Sequence, residues 1–160
     1  IGSLGDNIRI DDDVQLKGKI DLKSNVHIAR GCTLSGAKHG IFVDDLVSLA
    51  NYVQIYSSSD DYYSPSIAVA TLNSEMRKKF SKVYEKKIKI GKCCIIGTLS
   101  VLLPGAIIGD FSSIGALTIV NKKISKGFFF QSKAKEKLKK RDVKLFERLY
   151  KGYKKLNENK

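Results

Sequence analysis

The chain has two histidines, His27 and His39, and one of them recurs in phase with carboxylates. Asp21, His39 and Asp60 each stand five positions after an aliphatic residue, Leu16, Leu34 and Ile55. If those aliphatic residues mark equivalent points of successive coils, the three side chains stack in a column on one corner. Neighbouring strands lie about 4.8 Å apart, so His39 and Asp60 could share a proton or a water and serve as general base. The alternative is that both are solvated corner residues.

The elements that position them follow from a period of six. Aliphatic residues recur at Ile90, Ile96, Leu102, Ile108, Ile114 and Val120, glycine follows at 91, 97, 109 and 115, and a small residue follows at Cys94, Ser100, Ala106, Ser112 and Thr118. The same beat runs through Leu4, Ile10, Leu16, Leu22, Ile28 and Leu34, then resumes three residues late at Val43, Leu49 and Ile55. Neither a helix nor an amphipathic strand sustains this period. It predicts an all-β prism in which each hexapeptide supplies a short strand and a corner, three closing one coil of about 18 residues. Rungs are expected near 4–21, 22–39, 43–60, 90–107 and 108–125.

Two interruptions break the repeat, at Gly40-Ile41-Phe42 and over 61–87. Within the second, Met76, Phe80, Val83 and Tyr84 fall on one helical face behind Asn73 or Ser74 as a cap, which predicts a short amphipathic helix. The excursion reads either as a tolerated surface loop or as cover for a substrate site.

The domain reading is a β-helix over 1–125 with its excursion at 61–87, then a basic helical tail over 126–160. The net charge of +13 is uneven: residues 126–160 hold 13 Lys and Arg against Glu136, Asp142, Glu147 and Glu158. No recognised nucleic-acid motif accompanies them, so a solvated helix face is the plainer reading and no nucleic-acid partner is expected. Three cysteines, two of them adjacent, lack disulfide and zinc spacing and fit a reducing, cytoplasmic setting. No apolar run in the visible chain is long enough to span a membrane.

The repeat resembles the hexapeptide acyltransferase superfamily, whose β-helices are left-handed, and the hand is taken from that resemblance. The stretch Ser57-Ser58-Ser59-Asp60-Asp61-Tyr62, the long loop and Ile88-Lys89-Ile90-Gly91 are similar to galactoside and maltose O-acetyltransferases and to their relatives in surface-polysaccharide synthesis. The resemblance implies acyl transfer from acetyl-CoA to a sugar or nucleotide-sugar, a cytoplasmic homotrimer and no metal. It places Asp60 where the galactoside-type enzymes have their catalytic histidine, with Ser58, Asp61 and Tyr62 beside the acceptor. An ordinary aspartate, with a pKa of about 4, is a weak base for a sugar hydroxyl, unless burial raises its pKa or His39 shares the task. An amino-sugar acceptor would ease the difficulty, since a neutral amine attacks without prior deprotonation.

On the donor side the resemblance implies that CoA runs along Gly97, Thr98, Gly115 and Ala116, with Asn121, Lys122 and Lys135 near its phosphates. A metal enzyme of the γ-carbonic anhydrase type needs three histidine ligands, one more than this chain has. The remaining alternative is an inactive trimeric β-helix scaffold that binds a partner.

Overall fold

A computed structural model describes residues 2–132, 144, 145, 147, 148, 151, 152 and 155. The chain is a left-handed parallel β-helix with three flat sides. The first sheet stacks Ile20–Leu22, Ile41–Val43, Ile88–Ile90, Ile107–Ile108 and Lys123–Ile124. A second has six strands, from Arg9–Ile10 to Phe129–Phe130, and a third has five, from Gln15–Lys17 to Ile119–Val120.

The six-residue beat is the core. Leu22, Ile28, Leu34, Val43, Leu49, Ile55, Ile90, Ile96, Leu102, Ile108, Ile114 and Val120 are all buried and belong to one apolar cluster. Each such side chain contributes about 1.5–3 kcal/mol on burial, whereas Leu4 and Ile10, in the first coil, remain exposed. The small residues sit inside too, because their polar atoms find backbone acceptors: Ser100 Oγ donates to the Gly115 carbonyl and Ser112 Oγ to that of Ser125, both at 2.9 Å.

Corners turn through left-handed residues. Leu99 and Leu117 both have φ of 57°, a conformation that costs an L-residue roughly 1–2 kcal/mol. Ladder hydrogen bonds from Leu99 N–H to the Asn51 carbonyl (3.1 Å) and from Leu117 N–H to that of Thr98 (2.9 Å) offset the cost.

The structure moves the first interruption. Ile41, Phe42 and Val43 pair in register with Ile20, Asp21 and Leu22, so the extra residues lie in the preceding corner, between Ser35 and Ile41. Gly40 closes that corner with φ of 80° and donates to the Gly36 carbonyl at 2.6 Å. Consequently Asp21 stands beside Phe42, and the expected column of Asp21 with His39 does not form. The β-helix also continues past residue 125, because Phe129–Phe130 pair with Ser113–Ile114.

The chain divides into two compact units, one comprising 1–59 and 85–134, the other 60–84 and 135–160. In the second unit a helix spans Ser74–Phe80, capped by Asn73, whose Oδ1 accepts from Met76 N–H at 2.9 Å. It is shorter than expected: Ser81 turns extended, and Val83 and Tyr84 lie in the strand Val83–Glu85. The expected tail helix falls mostly outside the described residues; the described positions from 144 to 155 have helical backbone.

Candidate functional site

Around His39 the structure builds a cluster that the repeat did not announce. The extra corner residues carry His39 outward, and its side chain is 46% exposed. Ser58–Asp60 and Val83–Glu85 form a two-stranded sheet at the root of the excursion. That ribbon returns Glu85 to Ser58 across 27 residues of chain: Ser58 Oγ donates to Glu85 Oε1 at 3.3 Å, while Glu85 Oε2 lies 3.8 Å from His39 Nε2. One carboxylate therefore connects a hydroxyl and an imidazole. The His39–Glu85 separation is within ion-pair range but longer than a hydrogen bond.

Of the residues expected at the acceptor, Ser58 is in this cluster. Asp60 ends its strand, is exposed and belongs to the second unit with Asp61 and Tyr62. Asp61 shapes the turn that follows it, because its Oδ1 accepts from the N–H groups of Tyr63 (2.9 Å) and Ser64 (2.8 Å). Hydrogen bonds from Ser64, side chain and backbone, hold its carboxyl below the ordinary value. Tyr62 is exposed.

Of the residues expected along the donor, Gly97 and Thr98, then Gly115 and Ala116, occupy successive turns of one corner. Gly97 N–H donates to the Ile114 carbonyl at 2.8 Å, and Gly115 N–H to that of Phe130 at 2.9 Å. A Cβ on Gly97 would lie 2.5 Å from the backbone nitrogen of Ala116, so this position is glycine for close approach of two successive coils. Thr98 Oγ1 donates to the Asn51 carbonyl at 2.7 Å. Asn121 and Lys122 form the short, exposed corner between Ile119–Val120 and Lys123–Ile124. There Lys122 Nζ lies 4.5 Å from the centroid of the Phe130 ring, a cation–π contact. Lys135 lies outside the described residues.

Among the described residues no cluster of three or more His, Cys, Asp or Glu could hold a metal ion. Sequence reasoning missed Glu85, because the six-residue beat stops before the excursion and says nothing of how its return strand pairs. His27, the other imidazole, is engaged elsewhere: its Nε2 is 3.0 Å from Asp11 Oδ2.

No protein-family model matches the chain. In sequence, 123 residues are 32% identical to the dTDP-4-amino-4,6-dideoxy-D-glucose acyltransferase of Escherichia coli, covering 75% of this chain and 62% of that protein. The chain thus spans less than two thirds of this curated relative. In structure it is similar to AntD, an N-acyltransferase from Bacillus cereus. A serine-to-alanine mutant of AntD in complex with dTDP-4-amino-4,6-dideoxyglucose and coenzyme A gives a TM-score of 0.76 at 28% identity, over 94% of this chain and 79% of that one. Galactoside acetyltransferase in complex with coenzyme A is 27% identical, with a TM-score of 0.55 over 80% of this chain and 59% of that one.

Proposed function

We propose, from the premise that the homologues of this chain are acyltransferases of the hexapeptide-repeat type, that it transfers an acyl group from acyl-CoA to the amino group of a nucleotide-linked sugar. The observation that carries this reading is the Ser58–Glu85–His39 cluster, a proton acceptor with its supporting carboxylate, in a chain whose relatives acylate a dTDP-linked amino sugar. An amine acceptor also matches the missing histidine at position 60, since the nucleophile needs only a later proton acceptor.

The neutral amine adds its lone pair to the thioester carbonyl carbon. The proton released from nitrogen passes to the imidazole of His39, and Glu85 places a negative charge against the imidazolium. The C–S bond then breaks, and CoA leaves as a thiol after its sulfur takes up a proton. Ser58, by donating to the other carboxylate oxygen, fixes the orientation of Glu85. Asp60 remains a candidate second acceptor, with Asp61 and Tyr62 near the acceptor sugar. Gly97, Thr98, Gly115, Ala116, Asn121, Lys122 and Lys135 are the proposed donor contacts. Holding thioester and amine together supplies much of the rate.

The finer reading is a cytoplasmic homotrimer that modifies precursors of surface polysaccharide. A prism with three flat sides offers repeated faces for closed association, and three cysteines without disulfide spacing suit a reducing compartment. Thiol release from acetyl-CoA is the test, with dTDP-4-amino-4,6-dideoxyglucose and its 4-hydroxy counterpart as acceptors. Release with the amine alone supports the reading. Release with the hydroxyl compound alone replaces it with O-acylation, and failure to bind CoA at all favours an inactive scaffold.

A further inference from the structure

Phe128 breaks the rule by which the prism is filled. Val26, Val47, Cys94 and Ser112 directly precede His27, Ser48, Ile95 and Ser113, which stack in register on one side, and all four are buried at 2% exposure or less. Phe129 pairs with Ser113, so Phe128 takes the same place in the last coil. A bulky ring thus stands where earlier coils bury a valine, a cysteine or a serine, and it is 61% exposed. Phe129 beside it is 65% exposed.

This coil is the end of the stack. Among the described residues, Ile119–Val120, Lys123–Ile124 and Phe129–Phe130 are each the terminal strand of their sheet. From Asn121 to Phe129 only Ile124 is buried. The charge there has one sign: no Asp or Glu occurs between Asp110 and Glu136, and the last two coils, 103–130, hold Lys122, Lys123 and Lys126 against Asp110 alone. None of these lysines forms an ion pair among the described residues. Lys126 Nζ lies 5.3 Å from the centroid of the exposed Phe111 ring, a contact that leaves its charge in place.

Exposed rings flanked by ammonium groups suit the boundary of a bilayer, where rings enter the acyl region while amines stay with the headgroups. We propose that the last coil docks on an anionic phospholipid surface, with Phe128 and Phe129 in the apolar boundary and Lys123 and Lys126 on the phosphates. This goes beyond acyl transfer and does not rest on it. Charge selects the partner. A second copy meeting this coil end to end would bring the same lysines together, and the segment 133–160, with twelve Lys and Arg against four carboxylates, is also cationic, so neither complements it. In the preceding coil Leu117 and Ile119 are exposed as well. Aliphatic side chains gain from hydrocarbon but offer no ring on which a base stacks, which favours lipid over nucleic acid.

The experiment is co-sedimentation of the full chain with vesicles of phosphatidylcholine alone or mixed equally with phosphatidylglycerol. Wild type is compared with the double variants Phe128→Ser/Phe129→Ser and Lys123→Glu/Lys126→Glu, whose folding is checked by urea melts. The expected result is binding to the mixed vesicles only, weakened by salt, with a partition coefficient at least about tenfold lower in each double variant. No wild-type binding overturns the proposal. Wild-type binding by both variants also overturns it, because the basic segment beyond the coil would then suffice. A lower stability or altered oligomeric mass in the phenylalanine variant overturns it too, since the rings would then be covered by this chain or another copy. So does binding of a single-stranded oligonucleotide that depends on the same residues while vesicles are ignored.

Discussion

Glu85 Oε2 lies 3.8 Å from His39 Nε2, and the opposite oxygen of the same carboxylate accepts from Ser58 at 3.3 Å. The His39 and Glu85 side chains are 46% and 35% exposed, so the pair adds little to stability, and an exposed ion pair of this kind contributes about 0–1 kcal/mol. Its value in the proposed mechanism is positional: the carboxylate lies within ion-pair range of the imidazole that would take the proton.

Replacing Glu85 with Gln keeps the size of the side chain and its acceptor for Ser58 but removes the charge. Steady-state kinetics with the nucleotide amino sugar should show kcat lowered about 10- to 100-fold, the range for a group that orients another, with KM for acyl-CoA unchanged. Glu85→Asp should recover part of the loss. His39→Ala should cost about 10²-fold or more. Wild-type kcat in both Glu85→Gln and His39→Ala would remove the cluster from the mechanism.

At Gly97, an added methyl would press 2.5 Å from the Ala116 nitrogen. Gly97→Ala should therefore destabilise by about 1–3 kcal/mol, the usual range for overpacking, and denaturant melts would record it. Because Gly97 lies on the proposed donor corner, CoA affinity should fall as well. Unchanged stability would mean that the two coils separate there easily.

Cys32 and Cys94 are buried, and burial pushes both thiols up despite nearby backbone hydrogen bonds. Cys93, next to Cys94, is only partly covered, at a corner with φ of 55°. A thiol reagent should modify Cys93 in the native chain and reach the other two only on unfolding. Mass mapping of the adducts checks this, and native labelling of Cys94 would contradict the packing described.

The Lys23–Asp44 pair joins two coils at 3.0 Å. Partial burial works against ionisation of Asp44, yet hydrogen bonds from Lys23 and the Asp45 N–H hold its carboxyl below the ordinary value. Its contribution is therefore complete above the unfolded carboxylate pKa, about 3.9, and is lost as pH falls through the lower folded value. Asp44→Asn should flatten the loss of stability below about pH 4, measured by urea melts across that range. An identical acid profile in the variant would show the pair to be inert.

The repeat was legible because a buried aliphatic residue and a small buried residue keep one phase over many coils, as Ile96 with Ser100 and Leu102 with Ala106 do. Phase alone does not locate an insertion. Val43 stands nine positions after Leu34 rather than six, and only the pairing of Ile41 with Ile20 shows that the extra three precede Ile41. The last coils were hidden differently: Ile124 follows Val120 by four residues, a shortened corner, and Phe130 then takes an aliphatic place. Glu85 was illegible because its partners lie across an excursion outside the repeat, whereas His39 was singled out by its phase in the repeat and Ser58 by the resemblance.

Acyl transfer to a nucleotide-linked amine can be read directly by mass spectrometry of the product formed from acetyl-CoA and an equal mixture of a dTDP-linked 4-amino sugar and its 4-hydroxy counterpart. The expected result is one acetyl group added to the amino compound as a base-stable amide, with the hydroxyl compound recovered unchanged. An acetyl ester on the hydroxyl compound, with the amine untouched, would contradict it.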